Sequence, residues 1–244
     1  MEVHAHSHTQ RKKWTHYFWE FLMLFLAVFC GFLAEYHLEH KIEKDRELKY
    51  MESMIEDLKF DTTRLATNIN LRGQRIEMID SLILLIGSPG FKSQTGAIYY
   101  FGRHITPPVN FFPNDRTIQQ LKSSGGLRLI RNAEVSNSIM AYDQKMRSYL
   151  FELTDEIELR AEFREIAGEI YDGKVFNSML KSNGIERPLD NPALFRTDPV
   201  IINKGIVKAQ YLKKLDQNQI GRATELKNQA AELIIEIKKE YHLK

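Results

Sequence analysis

The chain has 244 residues, 43% hydrophobic and 27% charged, the proportions of a folded protein rather than a disordered one. A net charge of +2 gives no global electrostatic case for a nucleic-acid partner. The single cysteine, Cys30, excludes an intrachain disulfide and a structural thiolate metal site.

Residues 1–16 carry His4, His6, His8 and His16 without an apolar period. His4, His6 and His8 are the metal candidates, since short histidine tracts can bind metal, but no neighbouring carboxylate completes a site. The alternative is a solvated tail, and no cofactor is expected.

Tyr17 to Ala34 is the most informative stretch. At ~1.5 Å per residue it makes a helix roughly 27 Å long, close to a ~30 Å hydrocarbon core. Only Glu20 interrupts its apolar character, and Trp14, Tyr17, Trp19 and Tyr36 place aromatic rings near both edges. A cleaved signal peptide would need small residues at a cleavage site, and no such pattern follows. A transmembrane helix over 17–34 is the reading, with a buried core helix as the alternative. Arg11, Lys12 and Lys13 precede it and favour a cytoplasmic tail over 1–16, although Lys41, Lys44, Arg46 and Lys49 follow it closely. Within the span, Glu20 is a partner-binding candidate, because an ionisable group in lipid tends to face a partner or a polar path. Ala27 and Gly31, four residues apart, form a small-residue face on which a second helix could pack.

The remainder, 35–244, reads as one helical domain. Met51, Ile55, Leu58, Leu65, Ile69, Ile76, Ile79, Ile83 and Ile86 recur at alternating three and four, a coiled-coil-like seam with polar Thr62 and Arg72 set into it. This predicts a long helix over 35–86, with Gly73 as the place for a break and Gly87-Ser-Pro-Gly90 as its end. Residues 87–113 read as an aromatic loop, with a small hairpin over 96–111 as an option. Its Tyr99, Tyr100, Phe101, Phe111 and Phe112 are ligand-pocket candidates, against the alternative that they cap the open end of a bundle. A short helix over 114–124 follows, with Asn114 as its cap and Gly125-Gly126 as its stop. Asn132 caps a long helix over 133–171, and Asp172-Gly173 ends it. Prolines 188, 192 and 199 mark 181–202 as mostly loop, and a C-terminal helix is expected over 203–240. The fold class is therefore mainly α: an N-terminal transmembrane helix continuing into a helical bundle.

Catalytic patterns do not emerge. Gly87 to Ser93 lacks the glycine-lysine pair of a phosphate loop, and His37-Leu-Glu-His40 does not have the arrangement of a zinc helix. The chain is read as a non-enzyme.

Two blocks carry a resemblance. His16-Tyr-Phe-Trp-Glu-Phe-Leu through Phe32-Leu-Ala-Glu-Tyr36, with Lys44-Asp-Arg-Glu47 after it, is similar to a bacterial group of single-span membrane proteins of unknown function. The stretch from Phe112 to Asn132, with its Lys122-Ser-Ser-Gly125 turn and the step Leu127 to Ile130 into a long helix, resembles that group more closely. Asp143 departs from the aromatic pair that the group has at Tyr142. The resemblance implies an anchored helical protein of the bacterial inner membrane and transfers no active site. The expected function is a membrane-anchored, non-enzymatic helical module, an envelope-associated accessory or interaction protein. Its partners would be the lipid bilayer and either another membrane protein or a second copy. The alternative is a ligand-sensing periplasmic bundle acting through a separate membrane partner.

Overall fold

The computed structural model describes residues 14–243, so the metal candidates His4, His6 and His8 lie outside the described residues. Helix α1 runs over Trp14–Ile86, α2 over Thr95–His104, α3 over Arg116–Ser123, α4 over Ala133–Ile170, α5 over Gly173–Ser178 and α6 over Pro199–Glu240. A two-residue antiparallel pair, β1 (Leu180–Lys181) and β2 (Gly184–Ile185), is the one sheet among the described residues. The protein is a mainly helical chain, as the apolar spacing predicts. It divides into two compact units, Met1–Lys49 and Tyr50–Lys244.

In the first unit, α1 displays apolar side chains outward all round: Phe21, Leu24 and Phe32 are each about two-thirds exposed. Phe21, Phe25 and Phe29 stack along one face, one turn apart. The most apolar 18-residue window has a mean hydropathy of 2.0 and none of it is buried. A core helix of a soluble protein would be covered by apolar neighbours. This helix is long and apolar enough to cross a membrane.

The second unit is built on three long helical stretches. Met51, Met54, Leu58 and Leu65 of α1 share one apolar cluster with Val135, Ile139 and Met146 of α4 and with Leu226, Leu233 and Ile237 of α6. Ile79, Leu82 and Ile86 of α1 share another with Phe163 and Ile170 of α4 and with Ile201 and Leu212 of α6. The pairing makes α1 and α4 parallel and α6 antiparallel to both. A parallel pair needs a connection that travels the length of the helices, and residues 87–132 provide it.

Several elements differ from the sequence reading. No hairpin forms over 96–111, and within the expected loop 87–113 residues Thr95–His104 are helix α2, while the part after His104 is irregular. Gly96 and Gly102 of this helix are close-packing positions. A Cβ on Gly96 would lie 2.2 Å from the Pro188 carbonyl oxygen, and one on Gly102 would lie 2.1 Å from the Tyr171 hydroxyl. The strand pair falls at 180–185, where Gly184 takes φ 138°. Helix α1 continues through Gly73 without a break. Helix α6 begins at Pro199 rather than 203, since proline suits a first helical turn and Asp198 caps it by accepting from the Ile201 amide. Asp172 caps a further short helix, α5, by accepting from Lys174 N. Asn132 caps α4 by accepting from the Glu134 and Val135 amides, as its position before that helix predicts.

The start of α3 is satisfied from far away. Asp115, not Asn114, occupies its cap position and makes no side-chain cap bond. Asp57 of α1 accepts from Thr117 N at 3.0 Å and from its hydroxyl at 2.7 Å, and Asp61 accepts from Asn114 N at 2.7 Å. Successive turns of α1 hold the irregular segment 106–115 in the same way. Arg72 donates to the Val109 carbonyl, Asn68 to the Val109 and Asn110 carbonyls, and Arg64 to the Phe112 carbonyl. Backbone groups that lack a ladder partner need such donors and acceptors once they are buried.

Candidate functional site

Between the two apolar clusters of the second unit lies a charged layer. Arg72 and Arg75 reach it from α1, Glu156 and Arg160 from α4, and Asp216 from α6, and every one is buried. On each helix these residues occupy positions at the spacing of the apolar seam, so the fold turns them inward.

Arg72 is fully paired. Its Nη1 lies 2.6 Å from Asp216 Oδ1 and its Nη2 2.6 Å from Glu156 Oε2, while Nε donates to Asn68 Oδ1 at 2.9 Å. Arg160 is equally satisfied: Nε donates to Glu156 Oε1 at 2.7 Å, Nη1 to the Ile105 carbonyl at 2.6 Å and Nη2 to Asp216 Oδ1 at 2.9 Å. Burial would raise the Glu156 carboxyl above its usual range, but Arg160 and Arg72 outweigh it and hold it below. Burial likewise works against the Arg72 charge, and Glu156 more than compensates, so that guanidinium is held above its ordinary value.

Arg75 is different. Its Nη1 stands 3.8 Å from Glu156 Oε1, beyond hydrogen-bond distance, and is sealed from solvent without a partner. Burial, aided by the neighbouring Arg160 charge, pushes its guanidinium down to about 10, which still leaves it charged at neutral pH. Three guanidinium groups thus face two carboxylates, and the excess positive charge resides on the arginine with the poorest partner.

Arg75 forms part of the wall of a cleft of about 340 Å³ between α1 and the segment 104–110, together with Leu71, Gln74, Met78, His104 and Asn110. His104 Nδ1 lies 2.9 Å from the Tyr100 carbonyl, which can only accept, so Nδ1 carries the proton and Nε2 is left for other contacts. A second cleft, of about 270 Å³, shares Leu71 and Asn110 with the first and includes Arg64, Phe111 and Phe112.

The aromatic candidates therefore separate. Phe112 is exposed on the wall of the second cleft, and the Phe111 ring is buried against Tyr149 beside it. Tyr99 lies in the core, where its hydroxyl donates to the Ala193 carbonyl and accepts from Asp172 N. Tyr100 and Phe101 are half-buried against that same core. In the apolar helix, Glu20 Oε1 lies 3.0 Å from His16 Nε2, one turn before it. Ala27 and Gly31 lie one turn apart on an exposed surface, with nothing within 4 Å of a Cβ built at Gly31.

The Lys122-Ser-Ser-Gly125 turn has a structural account. Gly125 takes φ 67°, and the Ser124 hydroxyl donates back to the Gln120 carbonyl. Lys122 Nζ reaches the buried Asp143 Oδ2 at 2.5 Å, and Arg147 pairs with the same oxygen. Asp143 thus ties α3 to α4.

The charged layer was not singled out as a site by sequence, although Arg72 stood out as a polar interruption of the seam. Glu156, Arg160 and Asp216 give the same signal on α4 and α6, and what links them is spatial. Among the described residues, no group of three or more His, Cys, Asp or Glu side chains is placed to hold a metal ion. The chain matches no protein-family model, no curated protein and no solved structure.

Proposed function

We propose that the protein is a single-pass membrane-anchored helical module of the bacterial inner membrane, with a cytoplasmic N-terminal tail and a periplasmic helical domain. Its role is that of a non-enzymatic accessory or interaction protein, and it belongs with the single-span group that its N-terminal block and Lys122-Ser-Ser-Gly125 turn resemble. The observation that carries this reading is the apolar stretch of α1, whose most hydrophobic window has no buried part. Apolar surface of that extent is unfavourable in water, at ~25 cal/mol per Å², and is stable in lipid. Arg11, Lys12 and Lys13 on the short tail support the orientation. Alkaline carbonate extraction tests the anchor: the full-length chain should stay in the membrane pellet, and recovery in the wash would sink the reading. Reporters fused after Lys244 test the orientation, with alkaline phosphatase expected active and a green fluorescent protein expected dark.

A second reading has its own support in the Arg75 cleft. The domain senses a ligand and passes the state to a separate membrane protein through the anchor, where Glu20, Ala27 and Gly31 are the partner-facing candidates. Crosslinking from position 27 should then capture a membrane protein or a second copy, and the yield should change with Glu20→Leu.

A further inference from the structure

A buried charge that lacks a partner costs stability. The charged layer of this domain contains five groups, and Arg75 has the loosest pairing among them, 3.8 Å from Glu156 Oε1, while the other four are joined by hydrogen-bonded ion pairs. Arg75 Nη1 is sealed from solvent and makes no hydrogen bond. Yet the side chain stands at the wall of an open cleft rather than in the closed core.

We propose that this cleft binds a small amphipathic organic anion, a monocarboxylate whose charged end pairs with Arg75 and whose apolar end lies on Leu71 and Met78. Three features define the class. Arg75 is the one guanidinium of the layer on the cleft wall and is held by a single loose ion pair, so the part of it that borders the cleft can meet a carboxylate. The other polar side chains on the wall are few, Gln74, Asn110 and His104, enough to orient a ligand. The volume of about 340 Å³ falls at the small end of ligand pockets, with apolar wall provided by Leu71 and Met78. A bound carboxylate would equalise the charges of the layer, three positive against three negative. Phosphate fits less well, because Arg72 and Arg160 are already committed to Glu156 and Asp216 and cannot turn to a multiply charged ligand.

This inference deepens the ligand-sensing reading and rests on it for its purpose. Binding is measured on the purified chain alone, so failure to bind is distinct from failure to find a membrane partner.

The test uses full-length protein in an uncharged detergent. Butyrate, hexanoate, benzoate and phenylacetate are each titrated by calorimetry beside the corresponding amide, with inorganic phosphate as a further arm and ionic strength held constant. At least one carboxylate should bind one to one and raise the unfolding midpoint, with its amide about tenfold weaker or more. Arg75→Met should reduce that affinity at least about tenfold, while Arg75→Lys retains part of it. Leu71→Glu, a change at a half-exposed wall position, should weaken the carboxylate by a larger factor than the amide, because both lose the apolar contact and only the carboxylate meets the new charge, which keeps the test decisive if Arg75→Met fails to fold. The proposal is overturned if no carboxylate binds better than its amide, if Arg75→Met binds equally well, or if phosphate binds as tightly as the best carboxylate.

Discussion

Arg72 of α1 and Glu156 of α4 meet at 2.6 Å with neither side chain reaching solvent, at the level where one apolar cluster of the domain ends and the other begins. The contact fixes the register of two parallel helices, because a shift of either by one turn would set a charge into an apolar layer. Truncating one partner of a buried pair typically costs about 3–5 kcal/mol. Glu156→Gln should therefore lower the unfolding free energy by that order, read from urea denaturation. The pH dependence adds a sign. Arg160 and Arg72, against the effect of burial, hold the Glu156 carboxyl below its ordinary range, so the unfolded chain binds that proton more tightly than the folded one. The stability it contributes is complete above about pH 5 and is lost as pH falls through the lowered folded value. Denaturation curves between pH 7 and pH 3 should show a shallower acid loss in Glu156→Gln than in the parent.

Arg75 should behave oppositely to Arg72 although both are buried on the same helix. Burial and the Arg160 charge lower its guanidinium to about 10, so the folded protein holds that proton less tightly than the unfolded chain. The sign follows: its charged form is a net cost at neutral pH, and stability rises as pH climbs past about 10. Arg75→Met should raise the unfolding free energy, on the order of 1 kcal/mol, whereas Arg72→Met should lower it by about 3 kcal/mol or more. Thermal unfolding of the two variants side by side reads the difference.

Asp57 is buried and caps α3 from another helix, accepting from Thr117 N and its hydroxyl, with Arg116 on its other oxygen. Asp57→Ala should cost about 1–2 kcal/mol, the usual cost of removing a cap, with an addition for the hydroxyl left unpaired. Hydrogen exchange should locate the loosening in residues 116–121 of α3 rather than in α1.

Gly96 approaches the backbone of a distant loop. The Cβ of Gly96→Ala would meet the Pro188 carbonyl oxygen at 2.2 Å, and a backbone atom cannot swing aside as a side chain can. That substitution should destabilise by about 1–3 kcal/mol, the range for overpacking, while alanine at Gly73 of α1, where no atom lies within 4 Å, should be neutral or stabilising by up to about 1 kcal/mol. Chemical denaturation of both variants distinguishes a contact effect from a general glycine effect.

By itself the sequence determined what periodicity and caps can carry. The three-four alternation from Met51 to Ile86, the Asn132 cap and the uncharged run before Ala34 each act over a few turns, so they are legible without a fold. Proline and glycine misled where their role was positional. Pro199 begins α6 instead of prolonging a loop, and Gly96 and Gly102 serve packing inside α2. Only the tertiary structure decided what the seam's polar interruptions mean. Arg72, Glu156 and Asp216 are separated by 84 and 144 residues from the first, and their attraction exists only once α1, α4 and α6 are packed. The same holds for Arg75, the arginine of the layer that this packing leaves with the loosest partner, since the quality of a pairing is a property of the assembled interior and of no local stretch of chain.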